Sequence, residues 1–232
     1  MCSGVIFLLD QASLKNHLLR ALPEPAFARL ASVMARVELH KGQDLVVPGQ
    51  TIQHCWFIEH GVSSLVAMSS SGRETEAGIV GAEGMVDVAT ILGSDRSPLR
   101  CFIQISGHGY RVPVNAVVAL YEESPAVRTL LNRFAYDSFV QVAQTALANA
   151  AFNVNERLAR WLLMCADRTG NDQIALTHEL LAVMLNVRRA GVTQALHALE
   201  QAGFVKNGRA LITIVDRMGL ENFARDSYAP LA

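Results

Sequence analysis

The sequence is short of the features that define several protein classes. Only four cysteines occur among 232 residues, at positions 2, 55, 101 and 165, and no two of them form a C-x-x-C pair. This spacing argues against a disulfide framework and against a zinc site, so we expect reduced, buried thiols. A redox switch at Cys55 or Cys101 stays open as an alternative.

Long apolar runs are also missing. No uninterrupted stretch approaches the roughly 20 residues that span a bilayer. The first ten residues include a short apolar run, but no basic residue precedes it and no cleavage pattern accompanies it, so no secretory signal is predicted. We therefore expect a cytoplasmic protein that has no membrane partner.

Motifs for catalysis are absent as well. The sequence has no nucleophile elbow, phosphate loop or paired-carboxylate motif. His54 and His60 stand on mixed faces of one predicted strand, without the paired histidines and glutamate of a cupin-type metal enzyme. The seven histidines are scattered and identify no haem ligand. We expect neither an enzyme nor a metal site, and the cofactor is unknown.

An excess of positive charge is missing from the chain as a whole. The formal net charge is −1, so any contact with nucleic acid has to be local. Residues 188–210 provide such a cluster, because they hold four basic side chains against Glu200 alone. A patch of this kind can displace counterions from DNA phosphates.

What the sequence does contain is a change of hydrophobic period along the chain. Two short helices are predicted near residues 14–22 and 25–34. From residue 37 to residue 114, short apolar runs are punctuated by glycine, which predicts an all-β barrel or roll. From Ser124 the pattern is helical, because Ser124 suits the N-cap and Pro125 the first helical position.

The long helix that follows carries an apolar stripe with steps of three or four residues. Its length and alanine content suit packing against a second copy of the chain, and packing on the chain's own β domain is the alternative. A bend is expected near Asn153. The predicted dimer contacts are Leu131, Ala135, Phe139, Val142 and Ala146.

Residues 174–215 are the most informative stretch. Thr177 is the expected N-cap of a helix that ends at Asn186, and a second helix is predicted from about Arg188 to Ala202. Two strands should flank Asn207-Gly208, the strongest short hairpin signal. Helix, turn, helix and hairpin make a winged helix-turn-helix, whose second helix enters the major groove of DNA.

The second helix should bury Val192, Leu196 and Leu199 and turn its opposite face outward. The basic side chains fall at the start of this helix and at the hairpin tip, the two places that docking on DNA requires. The predicted DNA contacts are Thr177, Arg188, Arg189, Thr193, Gln194, His197, Lys206 and Arg209.

The order of parts resembles the Crp/Fnr superfamily of bacterial transcription regulators over about residues 20–220. The stretch Asn155-Glu-Arg-Leu-Ala-Arg-Trp-Leu-Leu163 is similar to the helix that leads into that family's DNA-binding domain. Gly81-Ala-Glu-Gly-Met85 resembles the glycine–glutamate turn of its nucleotide-binding cassette.

This resemblance implies an α+β fold with an N-terminal antiparallel, jelly-roll-like β-roll, a long dimerisation helix and a C-terminal winged helix-turn-helix. We place the boundaries at residues 1–123, 124–152 and 153–232. It also implies a homodimeric, sequence-specific transcription regulator that binds palindromic double-stranded DNA and has RNA polymerase as a partner. A β-roll that controls a partner protein without binding DNA is the alternative, but it leaves the basic cluster unexplained.

The recognition helix departs from the best-known members of the family, which carry an Arg-Glu pair and a second arginine. Here Arg189, Ala190 and Gln194 take those places. Arg189 is expected to bind guanine O6 and N7, and Gln194 to bind adenine or a phosphate. The expected phosphate contacts are Thr177, Arg188, Lys206 and Arg209.

The effector cassette departs further. Pro98 and Leu99 stand where cyclic-nucleotide-binding members have an Arg-Ser pair, so a cyclic nucleotide is not expected. The candidate effector residues are Glu83, Gly84 and Arg100, for a ligand of unknown identity.

An iron–sulfur cluster is not expected either. Members of the family that carry one have several cysteines near the N-terminus, where this chain has only Cys2.

Overall fold

The computed structural model describes residues 9–228, so Cys2 lies outside the described part. The N-terminal half is a six-stranded antiparallel sheet preceded by two short helices, as predicted. Its order is β1-β6-β3-β4, with β2 paired to β6 and β5 to β3. The elements are α1 (His17–Ala21), α2 (Glu24–Ala31), β1 (Ala35–Leu39), β2 (Asp44–Val46), β3 (His54–Met68), β4 (Glu74–Val80), β5 (Met85–Val86) and β6 (Arg100–Pro113).

Strands β3 and β6 form the spine of this β-roll. They pair from His54 opposite Pro113 to Val66 opposite Arg100, with register shifts between Ile58 and Ser63. Within this irregular stretch, Gly61 has φ +103°, and a Cβ there would lie 2.6 Å from the carbonyl oxygen of Ile105. Only glycine fits both this backbone conformation and this approach.

A buried apolar cluster to which all six strands contribute fills the interior of the β-roll. Cys101 and Ile103 of β6 are fully buried there. Side chains of the chain itself therefore occupy the space between the two halves of the sheet. The other buried members are Leu39, Val46, Ile52, Ile58, Leu65, Val80 and Val86.

Three helices connect the β-roll to the C-terminal domain: α3 (Val114–Glu123), α4 (Pro125–Ala151) and α5 (Val154–Thr169). The Ser124 hydroxyl accepts a hydrogen bond from the Val127 N–H, which confirms the predicted start of the long helix. Asn153 and Glu156 form a reciprocal capping box at the start of α5. Where the sequence predicts a bend near Asn153, the structure has a complete helix end followed by a new helix start.

The two faces of α4 have different environments, and the prediction for Leu131 was wrong. Leu131 is 3% exposed and packs with Phe134 in a core that the β-roll and the N-terminal helices share. Ala135 is half-buried against the same cluster. The opposite face is apolar and exposed, and Phe139, at 69% exposure, lies on it. The other large apolar side chains exposed on α4 are Tyr136, Val140, Val142 and Leu147.

The C-terminal domain is a winged helix-turn-helix, as predicted. Its three-stranded sheet has the order β7-β9-β8. Strand β7 and helix α8 were not predicted from the sequence. The elements are β7 (Gln173–Ile174), α6 (His178–Met184), α7 (Arg189–Gln201), β8 (Val205–Gly208), β9 (Leu211–Ile214) and α8 (Arg217–Ala224).

The wing turns two residues later than the sequence predicts. Asn207 and Gly208 belong to β8, and the turn is formed by Arg209 and Ala210, the latter with φ +55°. The cause is burial, because Val205 and Ile214 pair and are both inside the core. A turn at Asn207-Gly208 would pair Val205 with Ala210 and so separate Val205 from its buried partner Ile214.

The two domains share one core. Val62, Val66, Ile79 and Phe102 of the β-roll pack in the same buried cluster as α5, α6 and α7. Helix α5 is therefore covered by the β-roll on one side and by helices α6 and α7 on the other. Of the helices between residues 9 and 228, none combines the length and apolar character needed to cross a membrane.

Candidate nucleic-acid interface

The helix-turn-helix is fixed by local signals that the sequence already shows. The Thr177 hydroxyl accepts the Leu180 N–H at 3.4 Å and so caps α6. Asn186 has φ +49°, the left-handed conformation that ends the helix and turns the chain toward α7. Val192, Leu196 and Leu199 of α7 are fully buried, so the orientation of this helix is set by its apolar face.

That orientation leaves the predicted contact residues of α7 on the surface. Arg188 is the N-cap residue and Arg189 the first residue of the helix. Thr193, Gln194 and His197 follow along the exposed side. Because the sequence predicts that they contact DNA, we call Arg188, Arg189, Thr193, Gln194 and His197, together with Lys206 and Arg209 of the wing, the DNA-facing surface.

The wing is tied to the recognition helix α7. The N–H of Asn207 donates to the Glu200 carboxylate at 2.9 Å, so β8 is held against the last turn of α7. Lys206 is exposed on β8, and Arg209 is exposed in the turn. Thr177 is half-buried, with its hydroxyl already used as a helix cap.

Two residues of α6 join this surface that the sequence analysis did not assign to it. Glu179 Oε1 lies 3.0 Å from Nε of Arg189, and the Nδ1 atom of His178 lies 3.2 Å from the Thr193 hydroxyl. The pKa of Glu179 is below its ordinary value, first because of a hydrogen bond to its own backbone N–H and also because of the Arg189 charge. No sequence motif marks this contact, because it depends on the crossing of two helices.

The three effector candidates do not form one charged site. Arg100 lies 2.8 Å from Asp44 and 3.6 Å from Glu74, so two carboxylates already neutralise it. Glu83 faces the C-terminal domain, where its Oε1 lies 2.7 Å from Nε of Arg168 on α5. No hydrogen bond or ion pair joins Arg100 to the turn at Glu83 within residues 9–228.

The turn of residues 81–85 is also packed closely against helices α4 and α5. A Cβ at Gly84 would lie 1.9 Å from the Phe134 ring of α4, and a Cβ at Gly81 would lie 2.7 Å from the Arg168 side chain. These glycines therefore allow helices α4 and α5 to approach the β-roll. In this structure, the lack of a side chain at these two positions permits the helix packing.

The cysteines of the β-roll are buried. Burial raises the pKa of the Cys55 thiol to about 11, and it raises that of Cys101 well above its ordinary value. A thiol in such a setting carries little thiolate, the form that reacts with oxidants. In the part of the chain from residue 9 to residue 228, no group of three or more potential metal ligands is placed to hold an ion.

A β-roll joined by a long helix to an exposed, cationic winged helix defines a DNA-binding regulator. Comparison with known proteins then gives the family: residues 156–223 match the model of the Crp-like helix-turn-helix domain. The chain therefore contains a Crp-like DNA-binding domain, and the resemblance predicted from its sequence is confirmed. No curated protein is significantly similar in sequence.

Solved structures of Crp/Fnr regulators share the fold. FixK2 from Bradyrhizobium japonicum is 16% identical with a TM-score of 0.72, and the alignment covers 86% of this chain and all of that one. A CRP-family transcriptional regulator from Thermus thermophilus is 15% identical with a TM-score of 0.69, over 85% of this chain and all of that one. The c-di-GMP-responsive regulator CLP from Xanthomonas campestris is 15% identical with a TM-score of 0.67, over 83% and 99%.

Proposed function

We propose that the protein is a transcription regulator that binds a palindromic DNA site as a homodimer, with its β-roll as a sensory domain. The observation that carries this proposal is the exposed cationic set on the first turn of α7 and on the wing. In the docking geometry of a winged helix-turn-helix, these two places meet the major groove and the adjacent backbone.

Different members of the DNA-facing surface have different roles in this proposal. Arg189, at the start of the recognition helix, binds guanine, because its guanidinium matches the O6 and N7 acceptors. Gln194, further along the same helix, suits adenine or a phosphate. Arg188, Lys206 and Arg209 neutralise phosphates and fix the position of the protein on DNA without selecting bases.

The exposed apolar face of α4 supports the homodimer. Tyr136, Phe139 and Leu147 are each more than half exposed on a helix whose other face is buried. An apolar face of this size on a surface helix indicates a protein contact. A second copy would bring two recognition helices to half-sites roughly 34–36 Å apart, and contact with RNA polymerase would follow from binding at a promoter.

The effector of the β-roll is a separate question, and the charges around Arg100 disfavour a cyclic nucleotide. A cyclic phosphate would have to compete with two carboxylates for Arg100, because Asp44 and Glu74 already pair with it. Selection of bound sequences from random duplex DNA, with and without cyclic AMP, tests both parts of the proposal. We expect the same palindromic motif in both samples. A motif that appears only with cyclic AMP would contradict the argument against a cyclic-nucleotide effector. If neither sample yields a motif, regulation through specific DNA binding is contradicted.

Two substitutions test the division of roles. Arg189→Ala should remove the guanine preference at one position of each half-site, at a cost of about 1–3 kcal/mol for the selected DNA only. Lys206→Ala should weaken binding to all DNA and reduce the salt dependence by about one phosphate contact. Titration of labelled duplexes at several salt concentrations measures both effects. If both variants lost the same affinity for every duplex, the assigned roles would be contradicted.

A further inference from the structure

The start of α6 touches the first turn of the recognition helix. Glu179 Oε1 lies 3.0 Å from Nε of Arg189, and 62% and 69% of the two side chains are exposed. The pair therefore lies on the outside of the domain, on the same side as the DNA-facing surface. It joins two helices that the turn at Asn186 brings together.

The Thr193 hydroxyl is engaged within the protein. It donates to the carbonyl oxygen of Arg189 at 3.2 Å. The same hydroxyl lies 3.2 Å from Nδ1 of His178. The Thr193 hydroxyl therefore has two partners within the protein.

The geometry of the guanidinium explains what Glu179 contributes. Arginine has one Nε–H and two terminal nitrogens in a rigid plane, and guanine is bound by two parallel hydrogen bonds. A carboxylate at Nε restrains the plane and leaves both terminal nitrogens available. Without this restraint, DNA binding would have to order the exposed arginine side chain, at a cost in conformational entropy.

The charge of Glu179 works against general attraction to DNA. In the proposed function, Arg188, Lys206 and Arg209 face the phosphates, and a carboxylate near these side chains lowers their attraction to any sequence. A glutamate whose only effect was electrostatic would weaken specific and non-specific binding alike. Because Glu179 contacts Nε of the base-binding arginine, it also restrains the plane of that guanidinium, which affects only specific binding.

We propose that Glu179 is a specificity-determining positioning residue, which holds Arg189 in the conformation that binds guanine and lowers the affinity for other DNA. This inference rests on the proposed function, since it requires that Arg189 contacts a base.

The test uses the full-length protein and four variants: Glu179→Gln, Arg189→Ala, the combination of the two, and Glu200→Gln as a matched control. Glu200 also lies on the recognition helix, and glutamine there keeps the oxygen that accepts the Asn207 N–H. Affinity is measured for the selected duplex and for the duplex in which the guanine bound through Arg189 is replaced by adenine. The ratio of the two affinities is the readout.

We expect Glu179→Gln to lower the guanine preference roughly two- to fivefold, the range that an exposed ion pair supplies, while binding to the substituted duplex becomes tighter. The same change should have no effect on the ratio in the Arg189→Ala background. Glu200→Gln should tighten binding to both duplexes and leave the ratio unchanged.

Two failures are distinguishable. If Glu179→Gln behaves like Glu200→Gln, with an unchanged ratio, while Arg189→Ala abolishes the preference, then the positioning role is overturned and the proposed function stands. If the unmodified protein shows no preference between duplexes, both are overturned.

Discussion

The contact between Glu76 and Trp161 gives a quantitative prediction about stability. Glu76 of β4 is buried, its Oε1 accepts the Trp161 indole N–H at 2.7 Å, and its Oε2 accepts the Ser64 hydroxyl at 2.9 Å. Burial raises the pKa of Glu76 from 4.5 to about 7, although these two hydrogen bonds and the charges of Arg160 and Arg168 act in the opposite direction. The ionised carboxylate is therefore a net cost to the folded state near neutral pH.

The sign of the effect follows from linkage. The folded state binds the proton more tightly than the unfolded chain, so the contribution of Glu76 is most favourable below pH 4.5 and is lost as the pH rises through about 7. At about 1.4 kcal/mol for each pH unit between the two pKa values, the loss amounts to about 3 kcal/mol. Glutamine at this position cannot ionise and should not show it.

Glu76→Gln also preserves the local hydrogen bonds. Its carbonyl oxygen accepts the Trp161 N–H, its amide donates to the Ser64 hydroxyl, and that hydroxyl retains Met184 Sδ, 3.6 Å away, as its own acceptor. We expect the variant to match the unmodified protein near pH 4.5 and to be more stable by about 3 kcal/mol near pH 8. Urea unfolding at fixed protein concentration, followed by tryptophan fluorescence, measures the difference.

The exposed substitution Glu122→Gln is the control, and it should change nothing at either pH. If the difference in unfolding free energy between Glu76→Gln and the unmodified protein is the same at both pH values, the Glu76 carboxylate is not the destabilising group. Arg160 and Arg168 would then compensate its burial fully, and the net cost ascribed to its ionisation would be refuted.

Two further predictions concern the dimer and the thiols. Phe139→Glu should yield monomers in sedimentation and abolish binding to the full palindrome. Leu131→Ala should leave the dimer intact and lower the unfolding free energy by about 2–5 kcal/mol, because Leu131 is in the core. If both variants dissociate, the description of α4 as one buried face and one exposed face is refuted. Cys55 and Cys101 should resist a thiol reagent at pH 8 until the protein unfolds, because burial raises the pKa of both, and rapid labelling of either in the folded protein would restore the redox hypothesis.

The parts of the fold that the sequence predicts are those determined by neighbouring residues. Ser124-Pro125 starts a helix, Thr177 caps one and Asn186 ends it, each through contacts within a few positions. The buried face of α7 follows from helical spacing in the same way. These signals are sufficient to place the recognition helix.

The errors have long-range causes. Asn207-Gly208 is a strong turn signal by itself, but the burial of Val205 and Ile214 determines the pairing of the wing and moves the turn. Leu131 has the helical spacing of the predicted dimer stripe, yet the β-roll covers it. The pair between Glu179 and Arg189 joins two helices and leaves no pattern in the sequence, so the most specific feature of the site appears only in three dimensions.

The predicted boundary at residue 153 divides the secondary structure but does not divide the core. Trp161 and Arg168 of α5 place polar atoms against the carboxylates of Glu76 and Glu83 in the β-roll, and apolar residues from both sides complete one cluster. Removing one partner of a largely buried pair costs more than the pair contributes, because the other is left without compensation. The β-roll therefore helps to hold the helix that carries the DNA-binding domain. The orientation of α7 depends in turn on α5, since both helices contribute to that shared cluster.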